Sequence, residues 1–548
     1  MKFAHVAFPI PEDLTFTYSI PNHLIPIAKA GCRVLASFGN SIREGVIVNL
    51  LDRSDVDNPD FKIKAITDCL DSEPVFLDSI LKLTKWVSRY YLSSWGEALK
   101  CAAPAAIRTK QRKTIHLTAT KDEIQELKQR AKLQGQILTV LANDGDLTLN
   151  QLSRHIKKTS SSLRSVLATL QGKKLIDIQV NFRPTSQKQY ATFVALAKPI
   201  AEINQEITST LQRAPKQAEI LRTLISVYNR LPISSAELLK TANTSLTTLQ
   251  ALEKKNLVEL QSIEITRNPW DSKPIENTEP LTLNSDQINA VAKIHHSIET
   301  SLPKTFLLHG VTSSGKTEVY LQVIARVLSK KKGAIILIPE ISLTPQTVSR
   351  FVGRFGVDVA VLHSRLSDGE RYDQWLRVRS GKASIVIGAR SAIFAPVPNL
   401  GLIVIDEEHE TSYKQDSSPR YHARDVAIQR SKLENCTVVL GTATPSLESF
   451  YHAEKEKFHL ISMPSRIGGI EMPKVEIIDM REELKSKNHS IFSRSLRTAI
   501  TDRLKRNEQT ILFLNRRGYS SYVFCRNCGH VEKCDVCSVS MTYHFSKQ

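Results

Sequence analysis

The sequence predicts a multidomain α/β chain: a β-rich amino-terminal domain, two winged-helix-like repeats, a P-loop α/β lobe and the start of a second lobe. Three observations carry this reading. Short alternating apolar runs crowd residues 1–103, a helical pattern recurs in 134–179 and 217–261, and five apolar β runs alternate with helical segments after residue 283.

At 548 residues the chain exceeds what one core supports, and ordinary domain sizes give about three to five units. Its 74 Lys and Arg against 55 Asp and Glu leave a formal charge of +19, which suits a polyanion such as nucleic acid or an anionic membrane surface. No run approaches the roughly 18 to 20 apolar residues of a membrane span. The opening "MKFAHVAFPIPED" places acids where a signal peptide would continue its apolar core, so a soluble cytoplasmic protein is expected. Cys32, Cys69, Cys101 and Cys436 are scattered and read as reduced thiols.

In residues 1–103, "TFTYSI", "GCRVLASFG" and "GVIVNLL" read as strands, and "LKLTKWVSRYYLSSWGEAL" as a helical patch laid against them. Both copies of the repeat then read helix, helix, helix, strand. Ile137 and Leu138 align with Ile220 and Leu221, Leu163 with Leu246, and Leu175 and Ile176 with Leu257 and Val258. A Ser/Thr cluster able to cap it precedes each third helix. This sets winged-helix-like modules at 104–200 and 201–265, each either a DNA contact or a structural module. The polar, Pro-containing stretch 266–282 reads as a linker, 283–465 as one lobe and 466–548 as the start of another.

The strand "TFLLHG" leads into Gly310, Val311, Thr312, Ser313, Ser314, Gly315, Lys316 and Thr317, which fit G-x-x-x-x-G-K-[ST], with the helical "EVYLQVIARVL" behind. The two glycines let backbone N–H groups face phosphate oxygens. Lys316 supplies a cation to the β- and γ-phosphates of ATP, and the Thr317 hydroxyl suits Mg²⁺. A second strand, "LGLIVI", ends in Asp406, Glu407, Glu408 and His409. Asp406 is placed to hold Mg²⁺ through water, and Glu407 to orient or deprotonate the attacking water. Three more apolar runs end in Pro339–Glu340, in Gly388–Ser391 and in Gly441–Pro445. A parallel sheet puts all five carboxyl ends on one edge, around one nucleotide.

"GVTSSGKT", "ILIPEISLTPQ", "LHS", "GARSAIFAP", "DEEH" and "GTATPS", in this order, resemble superfamily 2 helicases, and more closely the PriA family of replication-restart helicases. The resemblance implies that His409 couples ATP state to DNA contacts and that Thr442 and Thr444 relay between lobes. It also implies that 406–425 contains an aromatic-rich loop sensing DNA, with Tyr413, Lys414, Arg420, Tyr421, His422 and Arg424 in it. Aromatics interleaved with cations suit unpaired bases and phosphates. Arg390, in "GARSAIFAP", joins the expected DNA contacts, and Gln287, in "LNSDQ", would read the adenine edge. "FTYSIP" would contact a 3′ end through Phe16 and Tyr18, but Thr17 replaces the aspartate common in the family and loses a carboxylate acceptor.

The resemblance further implies a monomeric helicase that recognises abandoned forks and moves 3′ to 5′ on single-stranded DNA. Its implied partners are branched and single-stranded DNA, other primosome proteins, single-strand DNA-binding protein, and the replicative helicase with its loader. A fork-binding scaffold that holds ATP without efficient turnover, and a duplex translocase, are the alternatives. In 466–548 a helix "SRSLRTAITDRLKR" and a strand "QTILFLNRRGYSS" precede two Cys-x-x-Cys pairs, Cys525/Cys528 and Cys534/Cys537. Arginine-bearing motifs of a second lobe do not follow, so the chain reads as truncated. Only "GHVEK" separates the pairs, whereas two knuckles on one Zn²⁺ commonly lie about 12 to 20 residues apart. Either a compact site forms, with His530 or His544 as alternates, or, as the family implies, each pair is half of a separate zinc site.

Overall fold

The computed structural model describes residues 2–39, 41–52, 63–104, 107, 109–156, 158–184, 189–265, 267, 275–300, 303–469, 471, 473–513 and 530–535. They fall into two compact units, 1–469 and 470–548.

The amino-terminal domain is an antiparallel sheet of β1 (Lys2–Ala7), β2 (Thr15–Ile20), β3 (Arg33–Phe38), β4 (Ser41–Leu51) and β5 (Ile66–Cys69), in the order β2-β1-β4-β3-β5. A bridge between Ser19 and Ala65 brings β5 back against β2, so the two edges meet. Edge strands left open invite further pairing, and this contact protects them. The aromatic helical patch forms α1 (Asp78–Tyr90) and α2 (Trp95–Ala102), the latter capped by Ser94, whose hydroxyl accepts from the Glu97 N–H.

Two modules follow. The first pairs β6 (Thr109–Leu117) with β7 (Leu147–Thr148) and β8 (Ile176–Pro184), around α3 (Lys121–Arg130), α4 (Lys132–Asp144), α5 (Leu149–Ile156) and α6 (Ser160–Gly172). The second pairs β9 (Gln189–Leu196) with β10 (Ile233–Ser234) and β11 (Val258–Ile265), around α7 (Ile200–Thr208), α8 (Pro215–Ser226), α9 (Ser235–Thr241) and α10 (Leu246–Lys254). Strand β9 lies before the boundary drawn at 200, yet it pairs along its whole length with β11 and belongs to the second sheet. Hydrogen bonding, which a repeat search does not see, moves that edge. Ile137, Leu138, Ile220 and Leu221 are buried as the repeat implies, but Leu246 is exposed where Leu163 is buried. The Thr159 hydroxyl caps α6, whereas Ser245 at the head of α10 makes no such bond. Each module has its own apolar core.

The lobe is a seven-stranded, wholly parallel sheet of β12 (Thr305–Gly310), β13 (Gly333–Leu337), β14 (Val359–Leu362), β15 (Ile385–Gly388), β16 (Leu400–Asp406), β17 (Thr437–Thr442) and β18 (His459–Met463). Its order is β14-β15-β13-β16-β17-β12-β18. Both faces are covered, which is why the strands read as continuous apolar runs. On one face lie α11 (Ser285–Thr300), α12 (Lys316–Ser329) and α13 (Pro345–Phe355). On the other, α14 (Asp368–Arg379) and α15 (Ala423–Glu434) share a core with Leu83, Val87 and Leu99 of α1 and α2. The helix α16 (Leu447–Glu454) follows β17.

The linker is anchored rather than free. Arg267 forms an ion pair with the buried Asp373 at 2.7 Å, and Arg354 donates to the Glu279 carbonyl at 2.9 Å. The second unit holds α17 (Met480–Lys485) and α18 (Arg494–Lys505), the latter as expected from its sequence. Residues 509–513, expected as the start of a strand, form none. A strand holds only when paired, and no described residue pairs with this one.

Candidate nucleotide and DNA site

The phosphate loop is built by a change of conformation between β12 and α12. Ser313 (φ 66°) and Gly315 (φ 84°) both adopt left-handed backbone. At Gly315 a Cβ would stand 2.2 Å from Gln287 Nε2, so glycine is required by space as well as by φ. Lys316 heads the helix and, nearly buried, donates from Nζ to the Gly310 carbonyl at 2.8 Å. The Ser314 hydroxyl is buried with no partner, and Thr317 stands half-buried in the first turn. An orphan hydroxyl, a buried ammonium resting on a carbonyl and a helix amino terminus are the donors a polyphosphate satisfies. The residues present therefore fit a nucleotide phosphate.

Gln287 departs from expectation. Its Nε2 donates to the Ser314 carbonyl at 3.2 Å, and its Oε1 accepts from the Asn284 N–H at 2.9 Å. The buried amide braces the phosphate loop from behind instead of standing open to a base edge.

Asp406 ends β16, and Tyr320, one turn beyond Lys316 on α12, donates its hydroxyl to Asp406 Oδ1 at 3.0 Å. Burial, and then the charge of Glu407, push the Asp406 carboxyl up to about 6, although Tyr320 and Lys316 pull the other way. Glu407 has φ 47°, a costly conformation for a non-glycine residue of the kind that collects at functional sites. Glu408 points inward and is fully buried. It accepts from Arg424 at 3.1 Å, from the Ser446 N–H at 2.8 Å and from the Ser449 hydroxyl at 2.8 Å. His409 Nδ1 lies 2.8 Å from the Thr442 hydroxyl, whose oxygen accepts from the Thr444 N–H at 3.0 Å. Lys316, Asp406, Glu407, His409 and Thr442 thus share one edge of the sheet.

The loop after His409 differs from its expected role at three residues. Tyr413 is buried, with its hydroxyl 2.6 Å from the Asp406 carbonyl and 3.0 Å from that of Leu337. Tyr421 is buried edge-on to Phe394, with the Arg390 guanidinium 5.9 Å from its ring centre. Buried rings cannot stack on bases, so both tyrosines act in this conformation as internal struts. Arg424 is committed to Glu408, Ser446 and Ser449. Lys414 and Arg420 remain exposed, and Lys414 lies over the Tyr91 ring at 5.0 Å. Arg390 and Lys414 line a cavity of about 680 Å³ with His363, Ser364, Arg371 and Ser412.

In the amino-terminal domain Tyr18 is buried and donates to the Ser37 carbonyl at 2.7 Å. Phe16 is half-buried and edge-on to Phe38 at 5.2 Å. Tyr18 is therefore core, and only Phe16 keeps a partly open face. Cys525, Cys528 and Cys537 lie outside the described residues, and Cys534 is half-buried. Among the described residues no group of three or more His, Cys, Asp or Glu gathers as a metal site. Sequence reasoning missed Tyr320, Glu408 and Ser449. Alternation along helix α12 signals only that Tyr320 faces the sheet, not that it meets Asp406.

Residues 5–104 match the 3′ DNA-binding domain of PriA, 191–265 a winged helix domain of the PriA helicase from Bacteroidota, and 284–452 the DEAD/DEAH box helicase domain. A replication restart protein PriA of Bacillus subtilis (strain 168) is 41% identical over 550 residues, covering 99% of this chain and 66% of the relative. One from Synechocystis is 37% identical over 564 residues, covering 99% and 64%. The chain thus spans just under two thirds of these relatives. Among solved structures, RecG bound to a three-way DNA junction is 24% identical with a TM-score of 0.26, over 36% of this chain and 25% of RecG. With a nucleotide-binding edge on a helicase lobe, a 3′ DNA-binding domain and relatives aligned along nearly its whole length, the chain belongs to the PriA family of replication restart proteins.

Proposed function

We propose that this chain carries the fork-binding region and the ATP-binding lobe of a 3′ to 5′ DNA helicase that recognises abandoned replication forks, remodels them and starts primosome assembly. The observation that supports it best is the gathering of Lys316, Asp406, Glu407, His409 and Thr442 on one sheet edge. Bound ATP supplies the phosphoanhydride whose cleavage drives movement. Thr317 and Asp406 would hold its Mg²⁺, Lys316 would hold the β- and γ-phosphates, and Glu407 would orient the attacking water. The exposed cations Lys414 and Arg420 would meet the DNA backbone, with Arg390 lining the cavity beside Lys414. Phe16 would offer its open face to a terminal nucleotide.

Two Zn²⁺ sites, for which Cys525/Cys528 and Cys534/Cys537 would each supply half of the ligands, belong to the same proposal. So do the primosome proteins, single-strand DNA-binding protein and replicative helicase with its loader as partners, and a cytoplasmic monomer. The test is fluorescent-nucleotide binding together with fork-stimulated ATP hydrolysis. Lys316→Ala should abolish nucleotide binding, and forked DNA should bind more tightly than linear duplex. Unchanged nucleotide affinity in that variant, or equal affinity for forked and linear DNA, would sink the proposal. Fork preference with turnover at background would identify a scaffold instead.

A further inference from the structure

Cys32 and Cys69 were set aside above as scattered reduced thiols, but the fold brings them together. Cys69 lies opposite Val34 in the β3–β5 pairing, and Cys32 stands two residues before Val34, on the same side of the strand. The Cys32 and Cys69 thiols both point at the carbonyl of Ile27, at 3.4 and 4.0 Å, which sets the two sulfurs side by side. Cys32 is fully buried and Cys69 is half-buried. One sulfur of the pair is therefore open to a small oxidant and the other is held behind it.

The surroundings fix this geometry. Arg33, the first residue of β3, is clasped by Asp71 through its backbone N–H at 2.8 Å and its guanidinium at 2.6 and 3.0 Å. The Leu70 N–H donates to the Arg33 carbonyl at 2.9 Å, and Cys69 Sγ lies 3.3 Å from the Asp71 carbonyl. The chain on both sides of the thiols is thus pinned, which keeps the sulfurs in register.

We propose that Cys32 and Cys69 form a reversible disulfide in response to peroxide, a redox modification site in the amino-terminal domain. Cys69 acts first. Its thiolate attacks one oxygen of the peroxide and breaks the O–O bond, giving Cys69 sulfenic acid and, with one proton taken up, water. The Cys32 sulfur then attacks the Cys69 sulfur. The S–O bond breaks, hydroxide leaves and takes the Cys32 proton as water, and the S–S bond forms. Two thiols and one hydrogen peroxide give one disulfide and two waters.

The neighbouring Cys32 thiol draws the Cys69 thiol down to about 7, against burial and the nearby Asp71 and Asp68, which oppose the thiolate. The Cys69 thiol beside it and burial push Cys32 up. A more acidic attacking thiol at the surface and a protonated resolving thiol behind it fit the two steps.

The covalent link would close a loop between β3 and β5. The adjoining segment ahead of β5 meets β2, where the Lys64 carbonyl accepts from the Ser19 N–H at 3.0 Å and Ala65 bridges Ser19. The link would therefore lock the seam of the amino-terminal sheet.

The experiment is peroxide treatment of the full chain, alkylation of remaining thiols, tryptic digestion and mass spectrometry without reductant. The expected product joins the peptide 30–33 to the peptide 65–82 with the loss of two hydrogen atoms, and dithiothreitol reverses it. In Cys32→Ala, a dimedone probe should instead trap the sulfenic acid on Cys69, and Cys69→Ser should protect Cys32 from oxidation. Hydrogen exchange of 65–70 should slow at least tenfold in the oxidised wild-type chain. Conversion of Cys69 to sulfinic acid while Cys32 stays alkylatable, or oxidation of Cys32 undiminished in Cys69→Ser, would overturn the proposal.

Discussion

The hydroxyl of Tyr320 lies 3.0 Å from the carboxylate of Asp406, so the helix that begins at the phosphate-loop lysine is bonded to the strand end that carries the first acid. A hydrogen bond to a charged acceptor is worth about 1.5–3 kcal/mol. Removing it in Tyr320→Phe should raise the Asp406 carboxyl by about one to two pH units. Mg²⁺-dependent nucleotide affinity, followed from pH 5 to pH 8, should show its acid limb displaced upward. A curve that coincides with the wild type would mean the bond does not tune this carboxylate.

The same carboxylate predicts how stability varies with pH. Its folded value, about 6, lies above the ordinary 3.8, so the fold takes up a proton more readily than the unfolded chain does. That contribution is complete below 3.8 and is lost as pH rises through about 6. Asp406→Asn, which removes the charge and keeps the shape, should melt a few degrees above the wild type at pH 8 and level with it below pH 4. Calorimetry across that range decides it; a variant less stable at pH 8 would contradict the sign.

Glu408 is the buried acid of the four-residue motif, and its partners come from α15 and from the segment that opens α16. Glu408→Ala would leave the Ser446 N–H and the Ser449 hydroxyl without their acceptor and the Arg424 guanidinium without its buried carboxylate. Breaking one side of a buried ion pair costs about 3–5 kcal/mol. Urea unfolding should show a loss of that order, and Glu408→Gln, which retains an acceptor, should lose less.

Gly441 offers a spatial test of the Tyr320 position. A Cβ there would meet the Tyr320 hydroxyl at 1.6 Å, so Gly441→Ala must displace that ring. Overpacking of this kind costs about 1–3 kcal/mol. Because the displaced group is the one that bonds Asp406, nucleotide affinity should fall with stability. Adding Tyr320→Phe should recover part of the stability and none of the affinity, a non-additivity that a double-mutant cycle reads directly.

Tyr91 joins the amino-terminal helices to the loop after His409, beside Glu97, which accepts from the Ser418 hydroxyl at 2.8 Å. The Tyr91 hydroxyl donates to Asp425 at 2.9 Å and accepts from the His422 N–H at 3.1 Å, and burial pushes its ionisation up. Tyr91→Phe removes both hydrogen bonds. Trypsin should then cut after Lys414 and Arg420 several-fold faster than in the wild type, with circular dichroism unchanged.

The motor lobe was legible because a buried parallel sheet writes itself as apolar runs with polar ends, and "LGLIVIDEEH" or "TFLLHGVTSSGKT" can hardly be read otherwise. The direction of side chains was less legible. Tyr413 and Tyr421 look like an exposed aromatic ladder because they alternate with Lys414 and Arg420. Which of such residues turn inward depends on where Asp406, Leu337 and Phe394 lie, and these are distant in sequence. The contact of Gln287 was illegible for the same reason, since its partner Ser314 is in the phosphate loop. The β9 boundary was missed because pairing with β11 leaves no local mark.

The shared core of α1, α2 and the motor face changes what the intervening modules are. Residues 78–102 and the lobe that starts at 283 form a single packed body, although 180 residues separate them, and the two modules between have cores of their own. Both modules are thus an excursion from a body whose halves close on each other. Cutting the chain after the first domain would bare Leu83, Val87 and Leu99 on one fragment and Val426 on the other, while the modules, lifted out together and replaced by a short connector, would leave that seam intact.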